Sequence, residues 1–378
     1  MSERHVFVTQ DYGPDLGGIA RVNVERCRRL AHAGGVLVST VSHPTASTFD
    51  AAERYPISRQ PFPLPAAKRL ANQIRWARAL PRTGILHCGN IRPAGYPVWS
   101  MRRPYVVYVY GLDLLKERRK VSTNPLKRWT LQRILGDSRG IIAISRWSAE
   151  LARAVMHEAG IQRPPPVAAI DLGTDPAFFR PDRDTGLIRR RFALGNSPIM
   201  LTVARLVPHK GLDMAIKALA LSPLDLRYVI VGDGPDRERL ETIAREAGVA
   251  DRVIFAGALS DDEIAEAYAT ADVYVGLSRE EGLQAEGFGI SFVEAAASGT
   301  PSVAGNSGGV SSAVRDGETG LLVPPTDVAA AASAIRRLLD DRALRESFAR
   351  AARGAVESHY NWDRVAAETI AFVDEVCA

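Results

Sequence analysis

The sequence predicts an α/β protein built as two facing Rossmann-like domains with a cleft between them. Three observations carry this. Short runs rich in Val, Ile, Tyr and Phe alternate with longer helical patterns along the whole chain, the mark of βαβ units and parallel sheets. The 378 residues exceed what one ordinary core accommodates and suit two domains of similar size. Hydrophobic residues at 46% and charged residues at 24% give the balance of a soluble globular chain.

In the first half, strands are expected at 6–9, 36–40, 85–87, 105–110 and 140–144. A helix from about Ile19 to Ala33 should stop at Gly34-Gly35. Residues 44–66, rich in Pro, Ser and Ala, read as a loop, and 67–80 (AKRLANQIRWARAL) as an amphipathic basic helix. Trp76 and Trp129, set among basic residues, suit either a core anchor or an interface. Ser145 and Ser148 stand where a helix cap is expected. After a turn-rich segment at 171–181, strands are expected at 198–203, 227–231, 253–256, 273–276 and 302–304, each followed by a helix. Further helices should cover 327–339, 342–357 and 362–377. The domains are therefore placed at 1–175 and 176–361, with the last helix a candidate to pack back on the first.

The net charge of +5 hides an uneven division. Residues 1–180 carry 27 Lys and Arg against 13 Asp and Glu, and the remainder 21 against 30. Such asymmetry suggests halves facing different partners, against the plainer alternative that basic residues only solvate helices. No run approaches the roughly 18 apolar residues of a membrane span, and the N-terminal apolar run is too short for a signal-peptide core. Cys27, Cys88 and Cys377 are isolated, as expected of a reducing cytoplasm, and the seven histidines form no zinc-like cluster.

The stretches that carry chemistry follow predicted strands. Between Glu286 and Glu294, the run Gly287-Phe288-Gly289 argues for a turn that opens a helix near Ile290 and closes at Gly299. Free backbone N–H groups and the positive end of that helix suit a diphosphate, and the carboxylates on either side can accept hydrogen bonds from hydroxyls. Arg205 and Lys210 lie on the loop Val203-Ala-Arg-Leu-Val-Pro-His-Lys-Gly211, a fork and a point charge able to clamp two phosphates. Gly232-Asp-Gly234 reads as a structural strand exit. Gly17-Gly18 opens the first helix and lets backbone approach a ligand, but it is not GxGxxG, which disfavours a dehydrogenase. His87 and Asn90 are candidates for an acceptor cleft, with a satisfied strand-end histidine the equal alternative.

Glu286-x7-Glu294 followed by Ala295-Ala-Ala-Ser-Gly299-Thr-Pro301 resembles the retaining GT-B glycosyltransferases of family 4. The resemblance implies a donor site in the second domain and an acceptor site in the first. It implies that Glu286, Gly287, Phe288, Gly289 and Ile290 hold a hexose, Glu294 a ribose, and Arg205 and Lys210 the diphosphate. The backbone of Gly257 and Ala258 would hold the base, uridine or guanosine, and Gly17-Gly18 would close over the phosphates. The family often has His-Gly where this chain has Tyr110-Gly111, beside the donor sugar, and Glu where it has Ser312. The implied reaction is hexosyl transfer from an NDP-sugar, GDP-mannose favoured and a UDP-sugar the alternative, with no metal and no further cofactor. The 279–290 segment particularly resembles phosphatidylinositol mannosyltransferases, pointing to a glycan or lipid-linked acceptor. The basic stretches 67–80 and 116–120 suit peripheral docking on an anionic membrane, at its inner face. The rival functions are a GT-B sugar-nucleotide epimerase and, more remotely, a non-enzymatic binder of nucleotide sugar; a nucleic-acid partner is not expected because no RNA-binding motif accompanies the basic residues.

Overall fold

The computed structural model describes residues 4–15, 17–60, 69–223 and 225–378, with the side chains of 69–71 left undescribed. The chain divides into two compact units, one of Met1–Leu172 with Trp362–Ala378 and one of Gly173–Asn361.

In the first unit the elements run β1 (His5–Val8), α1 (Gly18–His32), β2 (Val36–Val41), α2 (Ala46–Ala52), β3 (Ile57–Gln60), α3 (Arg69–Ala79), β4 (Ile85–Cys88), α4 (Gly95–Ser100), β5 (Tyr105–Val109), α5 (Leu112–Thr123), α6 (Pro125–Gly136), β6 (Gly140–Ala143), α7 (Arg146–Ala159) and β7 (Val167–Ala169). Their strands form one parallel sheet in the order β3-β2-β1-β4-β5-β6-β7. In β1, β5 and β6 every residue is buried, as expected of a parallel sheet covered on both faces. Asn124 caps α6 by accepting from the Lys127 N–H, and Ser145 with Ser148 forms a reciprocal capping box on α7.

The second unit holds α8 (Leu187–Arg191), β8 (Ile199–Val203), α9 (Leu212–Ala220), β9 (Arg227–Val231), α10 (Arg237–Glu246), β10 (Val253–Gly257), α11 (Asp261–Thr270), β11 (Val273–Gly276), α12 (Ile290–Ala297), β12 (Ser302–Gly305), β13 (Gly320–Val323), α13 (Val328–Asp340) and α14 (Arg342–Ser358). Its parallel sheet has the order β10-β9-β8-β11-β12-β13. The final helix α15 (Trp362–Cys377) lies against α1 of the first unit, where Arg29 reaches Asp363 at 3.4 Å.

Two expectations are corrected. Residues 44–60 are not a loop: they contain α2 and the edge strand β3, while 61–66 lie outside the described residues. The short strands β7 and β13 were not expected. The basic helix is described from Arg69, so residues 67–68 also fall outside. Within it Trp76 is a core anchor, buried and donating from Nε1 to Ser39 Oγ at 2.8 Å, whereas Trp129 is 45% exposed.

A neutral polar chain runs through the first core. His5 Nδ1 meets His87 Nε2 at 3.0 Å, and His87 Nδ1 meets the Tyr108 hydroxyl at 2.9 Å. Burial, with help from Arg4, lowers the His5 pKa to about 4, and burial with His5 and Arg26 holds His87 well below its ordinary range. Both rings are therefore neutral in the folded state and become charged only on unfolding as the medium acidifies. That stability is present above about pH 6.5, the ordinary histidine value, and is lost as pH falls toward 4. His87→Phe should leave His5 Nδ1 and the Tyr108 hydroxyl unpartnered, costing about 1–3 kcal/mol for each at neutral pH. The same variant should flatten the fall in melting temperature between pH 6.5 and 4, as thermal unfolding across that range would read.

Candidate functional site

In a parallel sheet whose winding reverses, the loops leaving the two middle strands part and leave a crevice beyond their C-terminal ends. In the second unit that point lies between β8 and β11. The loop after β8 carries Arg205 and Lys210, and the loop after β11 carries Glu286. Lys210 Nζ meets Glu286 Oε2 at 2.5 Å, so the pair bridges the crevice. Ser278 Oγ lies 3.4 Å from the same oxygen. Burial pushes the Glu286 carboxyl up, but the Lys210 ammonium, His209 and the Ser278 hydroxyl outweigh it and hold the group below its usual range. Arg205 is exposed, and its guanidinium forms no ion pair or hydrogen bond among the described residues.

Several contacts hold these loops together. Asp213 on α9 forms an ion pair with Arg279 at 2.7 Å, and the Arg279 N–H donates to the His209 carbonyl at 2.9 Å. Gly211 has φ +70°, and a Cβ there would fall 1.9 Å from the Leu277 carbonyl oxygen, so the β8 loop presses on backbone from the β11 loop. The Gly309 N–H donates to the Glu286 carbonyl at 2.8 Å, and a Cβ on Gly308 would fall 2.4 Å from that oxygen. Ser312, in the same turn, is buried and accepts from the Tyr360 hydroxyl through its carbonyl. Gly289 precedes α12, whose start has no side-chain cap, leaving its first backbone N–H groups for another acceptor. Phe288 turns inward against Tyr360, so Gly289 and Ile290 offer backbone here. Glu294 is buried in α12 and accepts from the Tyr268 hydroxyl at 2.9 Å. Nothing in the sequence pattern pointed to Tyr268 or Asp213. Gly257 sits at an irregularity in the β9–β10 pairing with open space around it, and Ala258 follows it.

In the first unit the reversal lies between β1 and β4. Gly17 and Gly18 are exposed at the uncapped start of α1, and a Cβ on either would meet nothing within 4 Å. Tyr110 is buried, with its hydroxyl donating to Asn23 Oδ1 at 2.7 Å and its pKa raised by burial. Its backbone N–H donates to Asp113, whose carboxyl burial pushes up to about 6. Asn90 is buried beside Asp11. His87 is corrected: it is fully buried between His5 and Tyr108, so it belongs to the core and lines no acceptor surface. A separate groove lined by Arg28, His32, Tyr55 and Asp363 holds none of the expected site residues, and Arg28 there is already bonded to Glu53.

Residues 16–176 match the family model described as Glycosyltransferase Family 4, and residues 185–355 the model of glycosyl transferases group 1. The chain belongs to glycosyltransferase family 4. A relative from Mycobacterium tuberculosis, "GDP-mannose-dependent alpha-(1-6)-phosphatidylinositol monomannoside mannosyltransferase", is 36% identical over 66% of this chain and 65% of its own length. A "D-inositol 3-phosphate glycosyltransferase" from Acidothermus cellulolyticus is 38% identical over 61% of this chain and 53% of its own length. The chain thus spans just under two thirds of the first of these relatives. Among solved structures, Anabaena Alr3699/HepE in complex with UDP and glucose covers 99% of this chain and 100% of its own with a TM-score of 0.80 at 19% identity, a likeness of fold. The two parallel sheets found here are those of the GT-B glycosyltransferases.

Gly211→Ala should destabilise the protein more than Gly257→Ala. Both residues have left-handed φ, a strain of about 1–2 kcal/mol for an alanine, but only at Gly211 does the new Cβ strike backbone. Equal losses of melting temperature in the two variants would remove the close approach as the reason for Gly211.

Proposed function

We propose that the chain is a retaining hexosyltransferase that moves a mannosyl group from GDP-mannose to a hydroxyl of a glycan or lipid-linked acceptor. The observation that carries this is the Lys210–Glu286 pair across the β8/β11 crevice, beside the uncapped start of α12 and the unpartnered Arg205. The diphosphate would sit on the α12 N–H groups with Arg205 and Lys210 as its cations. Glu286, kept ionised by Lys210, would accept from hydroxyls of the hexose, and Glu294 from the ribose. The donor sugar follows the name of the mycobacterial relative. A UDP-sugar is the alternative donor.

Retention by double displacement needs a nucleophilic carboxylate with a second about 5–5.5 Å away. Glu286 is instead an ion-paired post, and Glu294 is bonded to Tyr268. The reading is therefore same-face attack by the acceptor hydroxyl: its oxygen bonds to the anomeric carbon, the bond to the diphosphate breaks, and the departing phosphate takes the proton. Arg205 and Lys210 would stabilise the charge that develops on the leaving group, with no divalent ion required.

Lys210→Ala should lower GDP release from GDP-mannose at least about a hundredfold, the scale set by loss of one charge-stabilising donor, with a modest fall in melting temperature from the unpaired Glu286. Wild-type turnover in that variant, or loss of wild-type activity in EDTA, would sink the assignment. A donor panel with and without acceptor separates transfer from epimerisation.

The lipid-linked reading adds a surface. Leu126 is 66% exposed, Trp129 45% and Ile74 46%, all in the basic first half. Part of the charge at 116–120 is matched, because Lys120 pairs with Glu117 and Arg118 with Glu158. We propose that the exposed apolar side chains, with surrounding cations, hold the protein on the inner face of an anionic membrane from the cytoplasm. Flotation at low salt should recover more protein with phosphatidylglycerol vesicles than with phosphatidylcholine, and Trp129→Ser should reduce the difference. Equal recovery on both lipids would overturn the docking.

A further inference from the structure

We infer that His209 is a further side chain that binds the donor's diphosphate in the second unit, and that its ring takes up a proton from the medium when that diphosphate arrives. The inference rests on the transferase reading above and adds a third cation to the donor site within it.

His209 lies on the turn Pro208–Lys210 of the loop after β8, between Arg205 and Lys210 in the chain. The backbone of this turn is held from two sides. The His209 carbonyl accepts from the Arg279 N–H at 2.9 Å, and the Lys210 N–H donates to the Val207 carbonyl at 3.0 Å. Gly211, which ends the turn, leaves no room for a Cβ against Leu277. His209 is only 7% exposed, yet its ring forms no hydrogen bond, ion pair or ring contact among the described residues. Buried polar groups as a rule have a partner, and one without a protein partner in a loop that carries two phosphate-binding cations points to a ligand.

The charges acting on this ring come from its own loop, Lys210 and Arg205, and from the β11 loop, Glu286 and Glu281. Arg279 and Asp213, which adjoin the turn, are paired with each other at 2.7 Å. Burial, then Lys210 with Arg205, lowers the His209 pKa against the opposing pull of Glu286 and Glu281, so the ring is neutral near pH 7 in the protein alone. A diphosphate set on Arg205 and Lys210 brings anionic oxygens beside it and favours the charged ring. The proton then passes from the medium to the unprotonated ring nitrogen, and the new N–H donates to a phosphate oxygen. A lysine there would bury a third cation before any donor came, whereas a histidine defers that charge until its partner is present. Linkage fixes the sign: a ligand that raises the ring's pKa binds more tightly as pH falls, levelling off below the pKa of the unliganded protein.

The test measures GDP-mannose binding by titration calorimetry to the full-length wild type, His209→Asn and His209→Gln between pH 6 and 8. The sugar ester removes the second ionisation of the terminal phosphate, so the ligand itself does not titrate in this range. The wild type should bind about tenfold more tightly at pH 6 than at pH 8, the change that one pKa unit of coupling supplies. Heats in buffers of different ionisation enthalpy should show a proton taken up on binding near pH 7. The two variants, neutral at every pH, should match the wild type at pH 8, lose most of the tightening at pH 6 and take up no proton. A merely structural histidine would weaken binding equally at both pH values. That result, wild-type tightening in either variant, or no proton uptake by the wild type overturns the inference. If the wild type binds neither GDP-mannose nor UDP-glucose, the donor reading fails by itself. Thermal shift with pyrophosphate then decides: a larger stabilisation of the wild type than of the variants at pH 6, absent at pH 8, sustains the site, and equal shifts or none overturn it.

Discussion

The reversal of winding in each parallel sheet is the constraint on which the rest of this molecule depends. Right-handed crossovers place helices on both faces, so the chain can change direction across the sheet only at one pair of strands. In the first unit that pair is β1 and β4, and in the second β8 and β11. The loops there leave the sheet on opposite sides of the crevice, and polar side chains bridge it. Lys210–Glu286 and Asn90–Asp11 are the two bridges, and each joins residues far apart in sequence.

Those bridges hold only because the loops behind them are stiff. The β8 loop is pressed onto the Leu277 backbone at Gly211 and tied to the β11 loop through Arg279. The Asp213–Arg279 ion pair sits at the first turn of α9, where an aspartate also complements the helix dipole. In the first unit stiffness comes from one buried cation and the neutral groups around it. Arg26 is buried with its guanidinium 4.1 Å from the Tyr108 ring and bonded to Asn23 Oδ1, the same oxygen that accepts the Tyr110 hydroxyl. A protonated histidine at position 110 would stand against that buried cation. A phenol, neutral there because burial raises its pKa, does not. This gives Tyr110 a reason within the fold for departing from the usual His.

Much of this was legible in the sequence, for identifiable reasons. Strands such as Tyr105–Val109 and Val273–Gly276 are buried throughout, so their apolar runs stand out against helical neighbours. The glycines around Glu286 announced a turn into a helix. The misses are edge elements: β3 reads ISRQ and β7 reads VAA, too short or too polar to show a strand pattern, and α2 follows a proline-containing stretch that imitates a loop. His87 misled because a histidine at a strand end looks the same whether it faces a ligand or another ring; only His5 beside it distinguishes the two. Side-chain pairings could not be read at all, since Lys210 and Glu286 are 76 positions apart and Asn90 and Asp11 are 79.

The two bridges differ in charge, and that difference bears on what each can bind. Lys210–Glu286 is internally neutral, so a phosphate or hydroxyl arriving there shares partners that are already ionised and aligned rather than creating them. The burial cost of both charges is met before any ligand comes, which is the condition for preorganised electrostatics. Asp11 is held by a neutral amide instead and forms no ion pair among the described residues, with Lys116 acting on it only as a neighbouring charge. A site of the first kind suits an anionic donor with hydroxyls beside its phosphates.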